Sequence, residues 1–222
     1  MMTAFSLQQF NCVTDYALET FNSFEGDRFT RFFDTLALDP YLPGSYRFRS
    51  LSHVSIADGH LIKLPQQRLF QSKDYNPVLG DVVREYPELD NELIELEDFQ
   101  KAVLEFFEFC RLCSDFNEIG IHQIRITASP QHQGNPAPEG IHRDGVDLVG
   151  IFCVNRSNIA GGETHLYKTK DTSPIFTKIL NPGELLVFND RQFFHFTTPL
   201  QPTSAAIGYR DVFVFTCPGL TA

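Results

Sequence analysis

His142 and Asp144 stand two positions apart in Ile141-His142-Arg143-Asp144-Gly145. In extended chain, positions i and i+2 share a face, so one imidazole and one carboxylate project together. His195 follows about fifty residues later, in Arg191-Gln192-Phe193-Phe194-His195-Phe196. Two imidazoles and a carboxylate on neighbouring strands would form a facial triad for iron(II) with coordination positions left open. Open positions suit oxygen chemistry, because O2 and a co-substrate must both reach the metal. About fifteen residues further on, Arg210 interrupts the apolar run Val212-Phe213-Val214-Phe215 and its approach Ala206-Ile207-Gly208-Tyr209. A guanidinium buried there requires an anion, and its planar fork matches a carboxylate. The distal carboxylate of 2-oxoglutarate would serve, with its keto-acid end on the iron. The competing reading pairs Arg210 with Asp211 or another nearby acid and makes His195 a core histidine. His60 also has an acid two positions away, Asp58, but that pair sits in a turn.

The elements that must position these residues differ across the chain, with a change of texture near residue 120. Beyond it, strands are expected at 121–128, 147–155, 163–168, 175–180, 184–189, 193–197 and 205–216. They are separated by turn chemistry at Gly161-Gly162, Asn181-Pro182-Gly183 and Pro199 to Thr203. Many short strands without intervening helices indicate an antiparallel barrel or sandwich, and a jelly roll fits their number. Before residue 120 the chain mixes helix and loop. Phe21 to Leu38 carries a near-helical apolar stripe. Tyr46 to Ile56 and Leu61 to Leu64 read as short strands around Ala57-Asp58-Gly59. Leu93 to Cys113 is the clearest helix, with Leu93, Leu96, Phe99, Val103, Phe106, Phe107 and Cys110 at three- and four-residue steps. The expectation is one domain over 1–222, with 1–120 an elaboration on a β core at 121–222. It is mainly β with flanking helices.

Composition narrows the function. The chain carries 18 basic and 28 acidic residues, a formal net charge of −10, which disfavours nucleic acid or an anionic membrane as the main partner. The start, MMTAFSLQQFNCVTDY, lacks the basic and apolar blocks of a signal peptide. No apolar stretch reaches the ~18 residues of a membrane span, so the expected location is cytoplasmic. Five scattered cysteines, Cys12, Cys110, Cys113, Cys153 and Cys217, read as free thiols, and the Cys110/Cys113 pair as structural. The 22 Phe with no Trp read as core packing. Oligomeric state is not legible, and a homodimer stays open.

Glu139-Gly140-Ile141-His142-Arg143-Asp144-Gly145, Gly161-Gly162-Glu163-Thr164 and Asn189-Asp190-Arg191 leading to His195 resemble the bacterial iron(II)/2-oxoglutarate dioxygenases that hydroxylate free L-amino acids, among them L-isoleucine dioxygenases. The likeness extends to Gly44-Ser45-Tyr46-Arg47-Phe48-Arg49, Phe70-Gln71-Ser72 and Tyr75-Asn76. It implies a double-stranded β-helix, or jelly-roll barrel, with metal ligands His142, Asp144 and His195 and with Arg210 as co-substrate anchor. It also implies hydroxylation of an aliphatic side chain such as that of Ile, Leu or Met. Fe(II), 2-oxoglutarate and O2 would be required, and ascorbate would support turnover. Arg143 departs from the uncharged polar residue expected between the first two ligands; on a strand it would point away from the metal. Phe193, Phe194 and Phe196 would shield the reaction, though core packing alone would also explain them. Gln123, Arg125 and Thr127 make one face of their strand polar. If that face lines the barrel, Gln123 would touch co-substrate or substrate and Arg125 a substrate carboxylate; if not, it faces solvent. Tyr75 and Asn76 are substrate-side candidates by resemblance alone, and the Pro/Gly-rich segment 129–140 could cover the site. The rivals are a peptide or other small-molecule hydroxylase on the same fold, a cupin-like metalloprotein without 2-oxoglutarate, and a non-catalytic binding module.

Overall fold

The computed structural model describes residues 16–221. Its strands are β1 (Tyr16–Thr20), β2 (Arg47–Ala57), β3 (His60–Lys63), β4 (Glu118–Ala128), β5 (Leu148–Ser157), β6 (Ile159–Gly161), β7 (Glu163–Tyr167), β8 (Phe176–Ile179), β9 (Glu184–Asn189), β10 (Phe194–Thr197), β11 (Leu200–Pro202) and β12 (Gly208–Cys217). A major antiparallel sheet runs β1-β9-β5-β12-β4-β2-β3, and two small sheets, β10-β7-β8 and β11-β6, accompany it. The major sheet and strand β10 of the first small sheet line one cavity between them. The result is a jelly roll whose sheets do not join into a closed barrel.

The period-two alternation of the strands sorts side chains between two environments. Along β12, Arg210, Val212, Val214 and Thr216 turn to the cavity, while Phe213, Phe215 and Cys217 enter the core on the opposite face. That second face is covered by α1 (Thr30–Asp34), α2 (Asn91–Ile94) and α3 (Glu97–Cys113). In α3, Phe99, Ala102, Val103, Phe106, Phe109 and Cys110 are buried, the three- and four-residue spacing of a one-sided helix. The expected single helix from Leu93 is broken. Asp90 caps α2 by accepting the Glu92 N–H, and Leu96 is extended before α3 begins.

The stripe expected as a helix over Phe21 to Leu38 condenses into a 3-10 turn, Gly26–Phe29, followed by α1. Phe21 and Phe24 reach Phe152 from non-helical chain, so core contacts are met without a continuous helix. The region before residue 120 supplies more than a covering. β2 pairs with β4 from Arg47 to Ser55, and β1 pairs with β9 at the other edge. The three-residue strands β6 and β11 carry too little pattern to be read from sequence. Cys110, Cys153 and Cys217 are free and buried, but Cys113, at the end of α3, is disulfide-bonded, which corrects the reading of free thiols throughout. Cys12 lies outside the described residues. No helix among them is long and apolar enough to cross a membrane.

Candidate metal centre and its cavity

His142 lies outside the named strands. An isolated antiparallel bridge joins it to His195 on β10, with His142 N–H donating to the His195 carbonyl at 3.0 Å and the reverse bond at 2.8 Å. The bridge sets the two rings with centroids 4.1 Å apart. Asp144 completes the group, and one ligand atom from each residue lies within 4.8 Å of the others. His142 Nδ1 bonds the Gly140 carbonyl at 2.8 Å, which makes that nitrogen the proton-bearing one and leaves Nε2 for a metal. Both Nε2 atoms face the Asp144 carboxylate, at 3.8 Å for His142 and 3.6 Å for His195, and the Glu139 carboxylate stands 3.0 Å from His142 Nε2. Burial pushes the His195 imidazole down to about 3, so it stays neutral, as a ligand must. Burial would raise Asp144, but His195, His142 and the Gln71 amide outweigh it and hold the carboxyl below its ordinary range.

The turn carrying Asp144 is held from beneath. Asp190 accepts the backbone N–H groups of Asp144, Gly145 and Val146 at 3.1, 2.7 and 3.2 Å. Gly145 adopts φ +87, and a Cβ there would lie 2.8 Å from the Tyr75 ring, so the turn needs glycine on both counts. Tyr75 thus braces the turn instead of lining the cavity, and it is half exposed. Arg143 lies over the Phe194 ring at 4.0 Å, away from the three ligand atoms.

Arg210 is buried and lines the cavity, with Nε and Nη2 lacking any partner. Burial lowers it to about 10, which leaves it charged near neutrality. Its neighbour Asp211 cannot neutralise it, because consecutive strand residues face opposite ways. Asp211 instead receives a two-pronged bond from Arg125, at 2.6 and 2.8 Å. That arrangement corrects the expectation for Arg125, whose third nitrogen bonds Asp34 at 2.6 Å. Gln123 shares its face and donates to the Phe32 carbonyl at 3.0 Å. Neither residue reaches the cavity; the alternate positions His122, Ile124 and Ile126 do. Strand β4 is two-faced, and its polar face lies under α1.

Asn76 does line the cavity, and so does Pro136 to Glu139 from the segment read as a cover. Asn76 donates to Gln71 at 3.2 Å and accepts the N–H groups of Val78 and Leu79. Gln71, in the Phe70-Gln71-Ser72 stretch, donates to Asp144 Oδ1 at 3.0 Å. The phenylalanines expected to shield the site turn elsewhere. Phe193 packs in the core beside Tyr16, and Phe194 and Phe196 alternate away from His195; the ring against His195 is Phe188, at 5.1 Å. Arg47, Arg49, Arg84 and Glu139 also line the cavity, and sequence reading assigned none of them a role. A signal existed for two, since Arg47 and Arg49 have the i, i+2 spacing of one strand face. That spacing is weak by itself: Glu163 and His165 share it, pair at 2.6 Å, and lie away from the cavity.

This donor set fits iron(II), and the orphaned Arg210 guanidinium fits the distal carboxylate of a keto acid bound beside it. Known proteins point the same way. The chain is 28% identical over 153 residues to L-isoleucine-4-hydroxylase of Bacillus thuringiensis, covering 66% of this chain and 63% of that protein. It is 29% identical over 139 residues to 3(1)-hydroxy-L-isoleucine 4-dioxygenase of Pantoea ananatis, covering 60% of this chain and 56% of that protein. The matched regions thus span less than two thirds of either relative. Among solved structures, a bsmA homologue from Methylobium petroleophilum superposes with a TM-score of 0.75 at 28% identity, over 86% of this chain and 79% of that one. The profile of the 2OG-Fe dioxygenases, which take their name from 2-oxoglutarate and iron, matches residues 30–216, and the chain belongs to that family.

Proposed function

We propose that the chain is an iron(II)- and 2-oxoglutarate-dependent dioxygenase that hydroxylates a free L-amino acid, with an aliphatic side chain such as that of Ile, Leu or Met as the first candidate. The observation that carries the reading is that the His142–Asp144–His195 group and the unpartnered Arg210 guanidinium open into the same cavity. The relatives' names supply the amino-acid class.

His142 and His195 would hold iron through Nε2, with Asp144 as the charged ligand. Bound iron with 2-oxoglutarate and O2 supplies oxidative decarboxylation to succinate and CO2, coupled to insertion of one oxygen into a C–H bond. Arg210 fixes the far carboxylate of the co-substrate and so sets the direction in which its keto-acid end lies. Asp190 holds the backbone of the Asp144 turn. Ile124, Ile126, Ile151, Val212 and Val214 supply an apolar part of the cavity lining, suited to an aliphatic side chain. Besides Asp144, Glu139 is the one carboxylate among the described lining residues; it stands 3.0 Å from His142 Nε2 and would meet a substrate ammonium once that nitrogen holds iron. The relatives' names, which specify isoleucine and a hydroxy-isoleucine, favour a small molecule over a macromolecular substrate. A cytoplasmic location and a homodimer are expectations of the same reading.

The test is incubation of purified protein with Fe(II), ascorbate and 2-oxoglutarate against L-Ile, L-Leu, L-Met, L-Val, L-Pro and L-Lys. Succinate that rises with one amino acid, together with a product heavier by one oxygen atom, is expected, and both should disappear in Arg210→Ala. Folded, iron-loaded protein that neither binds 2-oxoglutarate nor makes succinate would end the proposal.

A further inference from the structure

The cavity has a second cationic pole that the co-substrate does not explain. Arg49 and Arg84 line it and are almost wholly buried, at 6% and 1% exposure. The pole is distinct from Arg210. In the major sheet Arg49 stands opposite Ile124, and Arg210 opposite Ile126, on the two flanks of β4. Strand spacing and rise place their Cα atoms roughly 12 Å apart. The groups also have different electrostatic neighbours: Tyr86, Arg47, Arg84 and Asp39 act on Arg49, whereas Cys153, Arg156 and Asp211 act on Arg210.

The charges at this pole do not balance. Arg47 has Asp39 at 3.5 Å. Arg49 Nη2 meets the imidazole of His122, which burial and the Arg49 charge keep neutral, and its guanidinium lies over the Tyr86 ring at 4.6 Å, so no carboxylate pairs with it directly. Arg84 Nη2 donates to the Gln71 amide oxygen at 2.9 Å. The Nε atoms of Arg49 and Arg84 are buried without partners. Two guanidiniums among neutral acceptors in an interior are costly until an anion joins them.

We propose that Arg49 and Arg84 form a second anion site that holds a carboxylate of the substrate, separate from the Arg210 site for the co-substrate. The proposal rests on the oxygenase reading and gives the substrate one obligatory feature. Gln71 ties this site to the candidate metal ligands. Its Nε2 donates to Asp144 Oδ1, while its Oε1 accepts from Arg84 and Asn76. Turned over, the amide would set oxygen against carboxylate and NH2 against guanidinium, so one orientation is fixed. A carboxylate clasped by Arg84 therefore sits at a set offset from Asp144, and the rest of the substrate is directed from that end. The role once expected of Arg125 falls to residues on β2 and on the loop before α2.

The experiment uses protein loaded with Mn(II) and 2-oxoglutarate, which does not turn over, and titrates it calorimetrically. L-Isoleucine, L-leucine and L-methionine are compared with their carboxamides. The acids should bind at least about 30-fold more tightly than the amides, and Arg49→Gln and Arg84→Gln should lose acid binding by a similar factor. Affinity for 2-oxoglutarate, measured in the same variants, should hold within about twofold, whereas Arg210→Ala should lose it. The acid–amide comparison on unmodified protein stands even if a variant folds poorly. Amides that bind as well as acids, variants that keep acid affinity, or 2-oxoglutarate binding with no acid bound would overturn the second site while leaving the co-substrate reading intact. Unmodified protein that binds no 2-oxoglutarate would instead remove the oxygenase reading and, with it, the second site.

Discussion

At the scale of single residues, the ligand spacing is legible but its support is not. His142, Asp144 and His195 stand out by type and interval. Asp190 does not, because an acid on a turn after a strand is common. Yet its carboxylate takes three consecutive backbone N–H groups under the metal ligand. Asp190→Ala should leave those groups unmet and loosen the turn, weakening metal affinity about 10- to 100-fold. Titration of the metal-free variant with Mn(II) checks this; unchanged affinity would mean that Gly145 and Tyr75 hold the turn without it. Arg125 shows the opposite limit. Alternation identified its face, but alternation cannot say which face is inside. Only the packing of α1, which brings Asp34 to Arg125, settles that.

At the scale of elements, the decisive contact is α3 against β5 and β12. Gly150 on β5 leaves room for the Phe106 ring, since a Cβ there would lie 2.7 Å from Phe106 Cδ2. Strand propensity argues for valine at this position, by up to ~1 kcal/mol. Overpacking argues against it by about 1–3 kcal/mol, because the helix must shift away from the sheet. Gly150→Val is therefore expected to lower stability in urea unfolding, and a Phe106→Leu second change should recover part of the loss. A more stable Gly150→Val protein would show that α3 is free to move. The helix itself was readable from its periodicity. Its exact start was not, because the break at Leu96 reflects how α2 and α3 meet the sheet separately.

Over the whole molecule, buried histidines make stability depend on pH. His53 is buried with both ring nitrogens unpartnered, and desolvation lowers it to about 4 from 6.5. The folded form keeps it neutral while the unfolded chain takes up a proton below 6.5. Buried Asp190 and Asp211, raised to about 7 and about 6, act the other way, but the His53 contribution to stability should be lost as pH drops from about 6.5 towards 4. His122, also pushed well down by burial, adds in the same direction. His53→Gln should flatten the decline between those pH values, as read from chemical unfolding at several pH points. An unchanged slope would place the acid sensitivity elsewhere.

The sequence by itself determined the β-rich class and most of the α3 helix, and it singled out His142, Asp144, His195 and Arg210 as candidates, because strand period, helix period and ligand type are local properties. Tertiary structure decided which face of β4 is interior, that β2 belongs in the major sheet, and that Arg49, Arg84, Gln71 and Asp144 meet. Those outcomes depend on pairing between segments far apart in the chain. A side chain's charge is written in the sequence, but whether a partner stands beside it is settled only when the sheets close over the cavity.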